Sequence, residues 1–332
     1  MSGDGIAVLL NANARAVRRS TVDTIREVLP GAQTFLSRSR DDAQHHVDRI
    51  VERGYGLVLC GGGDGSVVTL LNLLRQRVPS FPRLGLLRLG TGNAWATAMG
   101  ARGLRWTLGH LRHADPARLP IDRFDLVEVE GMVTHFAGAG WDARVVNDFN
   151  DLMRGVGLKA GKSVLAYLTA LFSKTVPAAA LEDFLKGDVE VQMRLLSGPC
   201  IRITSEDGEV PMQVEPGTVL HQGSVSVLGC ATTEHYGFGF KAFPHARRRP
   251  GMMHFRSISM PLAQALVSIP QLWRGTLTGE PLVDYLVQDI EMEFSRPLDC
   301  QVGGDAMGKR QRVRMRLADE GVEVVDFRRL SA

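Results

Sequence analysis

The segment GLVLCGGGDGSVVTLLNLL, Gly56 to Leu74, places four glycines, an aspartate and a serine between two apolar patterns at Gly61–Ser66. Gly56 to Cys60 is a short apolar run and reads as a buried strand. Ser66 to Arg77 reads as a helix with Val67, Leu70, Leu71 and Leu74 on one face. The glycines therefore sit in a strand-to-helix turn, where they let the backbone approach a ligand closely. The helix that follows offers free N–H groups and a partial positive charge, so the natural guest is phosphate. The turn lacks the GKS/T ending of a P-loop, and its internal acid sets it apart from the dinucleotide GxGxxG. A carboxylate in an anion-binding turn opposes phosphate unless a metal or a hydroxyl proton intervenes. Asp64 is therefore expected to organise Mg²⁺, directly or through water, or to hold a substrate hydroxyl. The structural alternative is a cap on the next helix.

Outward from this turn, strand and helix alternate. Ile6–Asn11 reads as a buried strand, Ser20–Leu29 as a helix capped by Ser20 or Thr21, and residues 34–37 as a strand. Asp41–Arg53 reads as a helix, Arg83–Leu89 as a strand, and Ala94–Met99 opens another helix. This predicts an α/β domain with a mainly parallel sheet over residues 1–122. A second loop, Leu89-Gly90-Thr91-Gly92-Asn93, also lies between strand and helix. In a parallel sheet both loops fall at the carboxyl edge, where ligands bind, and Asn11 joins them from the first strand. After Asp122 the sequence becomes a series of short alternating runs separated by Gly, Pro and Asp. It predicts an antiparallel, β-sandwich-like domain over 123–314, interrupted by a helical insert at roughly Gly155–Lys174. Residues 315–332 are expected to return to the first domain.

The chain of 332 residues fits about two domains. Its net charge of +3 is too small to argue for nucleic acid as a partner. Cys60, Cys200, Cys230 and Cys300 form no CxxC pair, which fits a reducing, cytoplasmic compartment. The apolar run near the N-terminus precedes the basic cluster, the reverse of a secretory signal. No run of about 18 apolar residues exists, so any membrane contact is expected to be peripheral and transient.

The paired loops, GGDGS at Gly62–Ser66 and GTGN at Gly90–Asn93, resemble the diacylglycerol kinase catalytic family, which includes the bacterial diacylglycerol kinases and the sphingosine kinases. FAGAGWDARV (Phe136–Val145) and YGFGFKAFPHA (Tyr236–Ala246) are similar to later family segments. GGDG alone is shared with NAD kinases and phosphofructokinases; the GTGN loop argues against an NAD kinase. The resemblance implies ATP bound between two domains, Mg²⁺, and transfer of the γ-phosphate to the hydroxyl of a lipid such as a diacylglycerol or a sphingoid base. By position it implies nucleotide contacts from Asn11, Ser37, Gly62, Gly63, Asp64, Gly65, Ser66, Thr91, Gly92 and Asn93, through positioning and charge neutralisation. The sequence departs from the family elsewhere. The usual DGE, whose aspartate is taken as general base, reads Gly303-Gly304-Asp305, which leaves Asp305 or Asp64 to take the hydroxyl proton. An earlier DG reads Pro250-Gly251, an acid usual after the first loop is Val68 or Thr69, and a proline is Ala12. The alternative is thus a weakly active or inactive nucleotide- or lipid-binding relative. A lipid acceptor also implies a membrane surface as partner. Two stretches are candidates for touching it: residues 154–174 as a basic amphipathic helix, and Arg247–Met253 as a basic turn with an apolar tip. A homodimer is compatible with the sequence.

Overall fold

The computed structural model describes residues 5–91, 93–141, 143–144, 188–204, 208–236, 240–280 and 282–330. They form two compact units, Met1–Phe124 with Asp319–Ala332, and Asp125–Ala318.

The first unit alternates β1 (Ile6–Asn11), α1 (Arg19–Val28), β2 (Gln33–Ser37), α2 (Arg40–Arg53), β3 (Leu57–Gly62), α3 (Asp64–Arg75), β4 (Arg83–Arg88), α4 (Ala94–Ala98) and α5 (Leu104–Leu111). β5 (Ile121–Phe124) and the late β18 (Val322–Val325) complete a six-stranded sheet of order β2-β1-β3-β4-β18-β5. The strands are parallel except β5, which runs antiparallel to β18. Val8–Leu10, Leu57–Cys60 and Leu86–Leu87 are buried at successive positions, as a sheet covered on both faces requires. Because β5 pairs with β18, this unit runs to Phe124, two residues beyond the 1–122 span read from the sequence.

Local signals shift by a turn in places. α2 is capped by Ser39, whose hydroxyl accepts from Asp42 N at 3.0 Å, and Asp41 and Asp42 lie in its first turn. Thr21 sits inside the first turn of α1, where its hydroxyl accepts from Arg18 N at 3.0 Å, so it braces the helix start without being its first residue. α3 begins at Asp64, two residues before the expected start, because Gly61 and Gly62 extend β3 and leave only Gly63 between strand and helix.

The second unit is built on β6 (Val127–Val129), β7 (Met132–Thr134), β8 (Phe136–Gly140), β9 (Val189–Ser197), β10 (Cys200–Ile203), β11 (Glu209–Met212), β12 (Val219–Val225), β13 (Val227–Ala231), β14 (Met253–Ile258), β15 (Leu282–Val287), β16 (Asp289–Val302) and β17 (Asp305–Leu317). Every ladder among these strands is antiparallel. β16 pairs with β9 through Phe294 and with β8 from Cys300, with an irregularity between. Residues of β9 share one core with residues of β8, β13, β14 and β15, which gives the expected sandwich-like arrangement. One helix, α6 (Leu262–Arg274), lies between β14 and β15. The helical insert expected at Gly155–Lys174 lies outside the described residues.

Candidate functional site

The strand order β2-β1-β3-β4 reverses direction between β1 and β3, and crevices at such a reversal are where open α/β sheets bind ligands. β1 ends there at Asn11 and β3 at Gly62. Asn11 Nδ2 donates to Ser66 Oγ at 3.0 Å, across the reversal, and Asn11 Oδ1 accepts from Asn13 N at 2.9 Å. Ser37, opposite Asn11 in the ladder, is buried and donates to Leu10 O at 3.1 Å. Of the sequence-predicted residues, Asn11, Ser37 and Gly62–Ser66 thus meet at one edge of the sheet.

The GTGN loop packs backbone to backbone on the first loop. A Cβ on Gly90 would stand 2.2 Å from Gly63 Cα and 2.4 Å from Gly63 N, and one on Gly63 would lie 3.3 Å from Gly90 Cα and 3.8 Å from Thr91 N. Only glycine allows this approach at Gly90. Leu89 N donates to Gly62 O at 3.2 Å. Asn93, in a left-handed conformation at φ 50°, closes its own loop: Oδ1 accepts from Gly90 N at 2.9 Å and Nδ2 donates to Gly90 O at 2.7 Å. Gly92 lies outside the described residues.

Asp64 joins the two loops. Its Oδ2 accepts from Ala94 N at 2.9 Å and its Oδ1 from Trp95 N at 3.1 Å, so the carboxylate of the first loop caps α4 after the second. Burial pushes its carboxyl above the ordinary range, and those N–H donors oppose the shift. Neighbouring Cys60 is pushed up to about 12, by burial first and by Asp64 second, and is an inert core thiol. Gly65 is exposed at the start of α3, and Ser66 and Val67 N–H groups bond back to Gly63 O at 2.9 and 3.3 Å. The close packing of Gly90 on Gly63 and the cap on α4 escape a sequence reading, although the first glycine of GTGN is a signal for the packing.

Asp305 belongs to the second unit, exposed at the first position of β17. Val302 faces Asp305 across a two-residue turn, and Gly303 and Gly304 hold φ values of 60° and 84°. That is a type I′ hairpin, which asks for positive φ at both central residues. Gly303 N donates to Phe136 O at 2.9 Å and Gly304 N to Gln301 Oε1 at 2.9 Å, so the turn is held from both sides. The Arg247–Met253 turn differs from expectation. Met252 is 7% exposed and Met253 0%, because Met253 opens β14 and enters the sandwich core. Arg249 pairs with Glu209 at 2.7 Å, and Gly251 N donates to Asp125 Oδ2 at 2.7 Å. The turn has no apolar tip. The other candidate surface, residues 154–174, lies outside the described residues.

Residues 5–117 match the family model of the diacylglycerol kinase catalytic domain. Among curated proteins, the chain is 47% identical over 85 residues to "Probable lipid kinase YegS" of Salmonella newport, a stretch covering 25% of this chain and 28% of that protein. It is 23% identical over 295 residues to "Probable lipid kinase YegS-like" of Stenotrophomonas maltophilia, covering 83% of each. Among solved structures, a diacylglycerol kinase of Bacillus anthracis superposes with a TM-score of 0.65 at 11% identity, over 98% of both chains. That likeness extends the fold to both units. The two glycine loops at the carboxyl edge of the sheet both lie within residues 5–117, the stretch that matches the diacylglycerol kinase catalytic domain.

Proposed function

We propose that this protein is an ATP-dependent lipid kinase, transferring the γ-phosphoryl group to a hydroxyl of a diacylglycerol, a sphingoid base or a similar lipid. The observation that supports it best is the bracing of three loops at the strand reversal, through Asn11–Ser66, Asp64–Ala94/Trp95 and the Gly63–Gly90 contact. In this reading the polyphosphate lies along the backbone of Gly62–Ser66 and Thr91, at the start of α3. The start of α4 does not serve it, because Asp64 already takes the first N–H groups there. Asn11, Ser37 and Asn93 act mainly by fixing loop shape, since their side chains bond to protein partners.

Mg²⁺, when bound, neutralises phosphate charge. Asp64 is the acid in the loops that would hold it, through water, because one lone pair on each oxygen is engaged by an N–H. With Asp64 so occupied, Asp305 is the candidate acceptor of the hydroxyl proton. Contact with a membrane is peripheral in this reading, made by residues 154–174 or by the charges of Arg247 and Arg248.

Transfer from γ-labelled ATP to a panel of diacylglycerols, sphingoid bases and other lipid alcohols tests the reading, alongside titration with Mg·ATP. The expected result is saturable ATP binding and a phosphorylated lipid, with the binding weakened at least about tenfold in Gly90→Ala. Absence of saturable binding refutes it. Binding without transfer to any lipid would support the weakly active alternative, which Gly303 favours by leaving the hairpin tip without a side chain.

A further inference from the structure

Two loops at the carboxyl edge of the first sheet carry a group of arginines with no part in the site described above. Arg15, Arg18 and Arg19 follow β1, Arg38 and Arg40 follow β2, and all of them are exposed. The loops are held together where they leave the sheet. Asn11 stands beside Ser37 in the ladder, Ala12 N donates to Ser37 O at 2.8 Å, and Asn13 Nδ2 donates to Arg38 O at 3.0 Å. Further along, Ala16 N donates to Leu89 O at 3.0 Å, which pins the first of these loops to the start of the second glycine loop. The arginines therefore rim the crevice at the strand reversal.

Elsewhere, Arg77, Arg83, Arg105, Arg249, Arg310 and Arg314 each hold a carboxylate. Among the described residues, none of the rim arginines forms an ion pair. No acid occurs from Gly5 to Val22 or from Val28 to Arg40. Of the acids that follow, Asp42 turns Oδ2 to Arg38 N at 2.8 Å, and the exposed Asp23 and Asp41 pair with none of these guanidinium groups. Three of the arginines also stand at the unfavourable end of a helix. Arg18 precedes α1, Arg19 opens it with no acid in its first turn, and Arg40 opens α2. The positive end of the helix dipole disfavours a cation there, whereas Arg26 and Arg53, in the last turns of the same helices, sit where the dipole favours one. Stability accounts for the second pair and not for the first three. Residues that break a local rule at the mouth of a crevice mark function.

We infer that Arg15, Arg18, Arg19, Arg38 and Arg40 form a docking surface for an anionic lipid bilayer, which sets the mouth of the crevice against the headgroups. The choice of occupant rests on the lipid-kinase reading: an acceptor held in a bilayer meets the crevice only where the crevice rim meets the membrane. A guanidinium pairs with phosphate oxygens in a bidentate fork, and each cation near an anionic surface strengthens binding roughly fivefold. None of the large exposed hydrophobic side chains of the described residues belongs to these loops, so the contact is electrostatic and reversible. It is a contact of the first unit, additional to Arg247 and Arg248 of the second.

The test sediments the full chain with vesicles in the absence of nucleotide. The expected result is binding to phosphatidylcholine vesicles that contain phosphatidylglycerol, little binding to phosphatidylcholine alone, and release at high salt. The double variants Arg18→Gln with Arg19→Gln, and Arg38→Gln with Arg40→Gln, should each weaken binding about 25-fold. Their melting temperatures should not fall, since each loses a cation from a helix N-terminus. Arg26→Gln with Arg53→Gln removes the same charge from the far ends of α1 and α2, and should stay within about twofold of the parent. Equal binding to neutral vesicles, or an equal loss in that control, overturns the inference. Mg·ATP affinity should be unchanged in the rim variants; its loss with vesicle binding intact would assign these arginines to the nucleotide and overturn the inference too. Phosphoryl transfer to a lipid alcohol in neutral detergent micelles reads the kinase separately. The rim variants should match the parent there, and a parent without transfer counts against the kinase reading while the vesicle result stands by itself.

Discussion

Asp64→Asn separates a cap from a purely catalytic acid. The asparagine is isosteric, but its amide offers one acceptor where the carboxylate served two donors, Ala94 N at 2.9 Å and Trp95 N at 3.1 Å. One of these N–H groups would then face an NH₂. A half-buried donor left unmet costs about 1–3 kcal/mol. Losing the negative charge at the start of α4 adds roughly 0.3–1 kcal/mol. Burial already disfavours the ionised carboxyl, and relief of that strain offsets part of the loss. The net expectation is destabilisation of about 2 kcal/mol. Trp95, 1% exposed and stacked on Phe124 at 5.4 Å between ring centroids, reports on α4 by fluorescence. With a urea slope of about 2 kcal/mol/M, the midpoint seen by tryptophan fluorescence should fall by about 1 M. A midpoint within about 0.3 M of the parent, on that same slope, would refute the bracing role of Asp64.

Other substitutions probe the remaining contacts. Gly90→Ala drives a Cβ to 2.2 Å from Gly63 Cα, where both neighbours are backbone and neither can yield. It should cost about 1–3 kcal/mol by overpacking and weaken ATP binding at least about tenfold, as read by urea unfolding and nucleotide titration. Gly303→Asp should leave the melting temperature nearly unchanged, since Asp-Gly is as suited to the type I′ turn as Gly-Gly. It should raise kcat about tenfold or more if a missing proton acceptor limits turnover. His135 is fully buried, and burial drives its imidazole down to about 3 from an ordinary 6.5. The unfolded chain therefore binds the proton first as pH falls, and stability drops from pH 6.5 towards 3. At pH 5 the loss from this group is about 2 kcal/mol relative to pH 7, measurable as a lower urea midpoint that His135→Phe makes less dependent on pH.

The first unit was largely legible because its strands are short continuous apolar runs and its turns are marked by glycine. Even there, the helix Leu104–Leu111 escaped, since LRWTLGHL has a glycine inside it and no side-chain cap before it. In the second unit alternation showed which segments are strands but not which strands pair. The exchange of partners along β16, from β9 to β8, depends on an irregularity with no unique sequence mark. The Arg247–Met253 turn misled because Met252 and Met253 follow three arginines and look like an exposed tip. Met253 is sent inward by opening β14 over the sandwich core, and Met252 by packing with Ile203 and Leu286.

The site itself was legible as a set of positions more than as a set of roles. GGDGS and GTGN read as ligand contacts, yet Asn11, Asp64 and Asn93 each direct side-chain hydrogen bonds to protein partners. What a phosphate meets in such an arrangement is chiefly backbone, which carries no sequence identity beyond the absence of a Cβ. The polar residues fix where that backbone stands. Loss of turnover on replacing Asp64 would then be poor proof of chemistry at its carboxylate. The two roles part in how they fail: a displaced loop weakens ATP binding and stability together, whereas a lost Mg²⁺ contact leaves the urea midpoint in place and shifts the Mg²⁺ dependence of turnover. Since the carboxylate holds the N–H groups of α4 directly, the first pattern is the one its geometry requires.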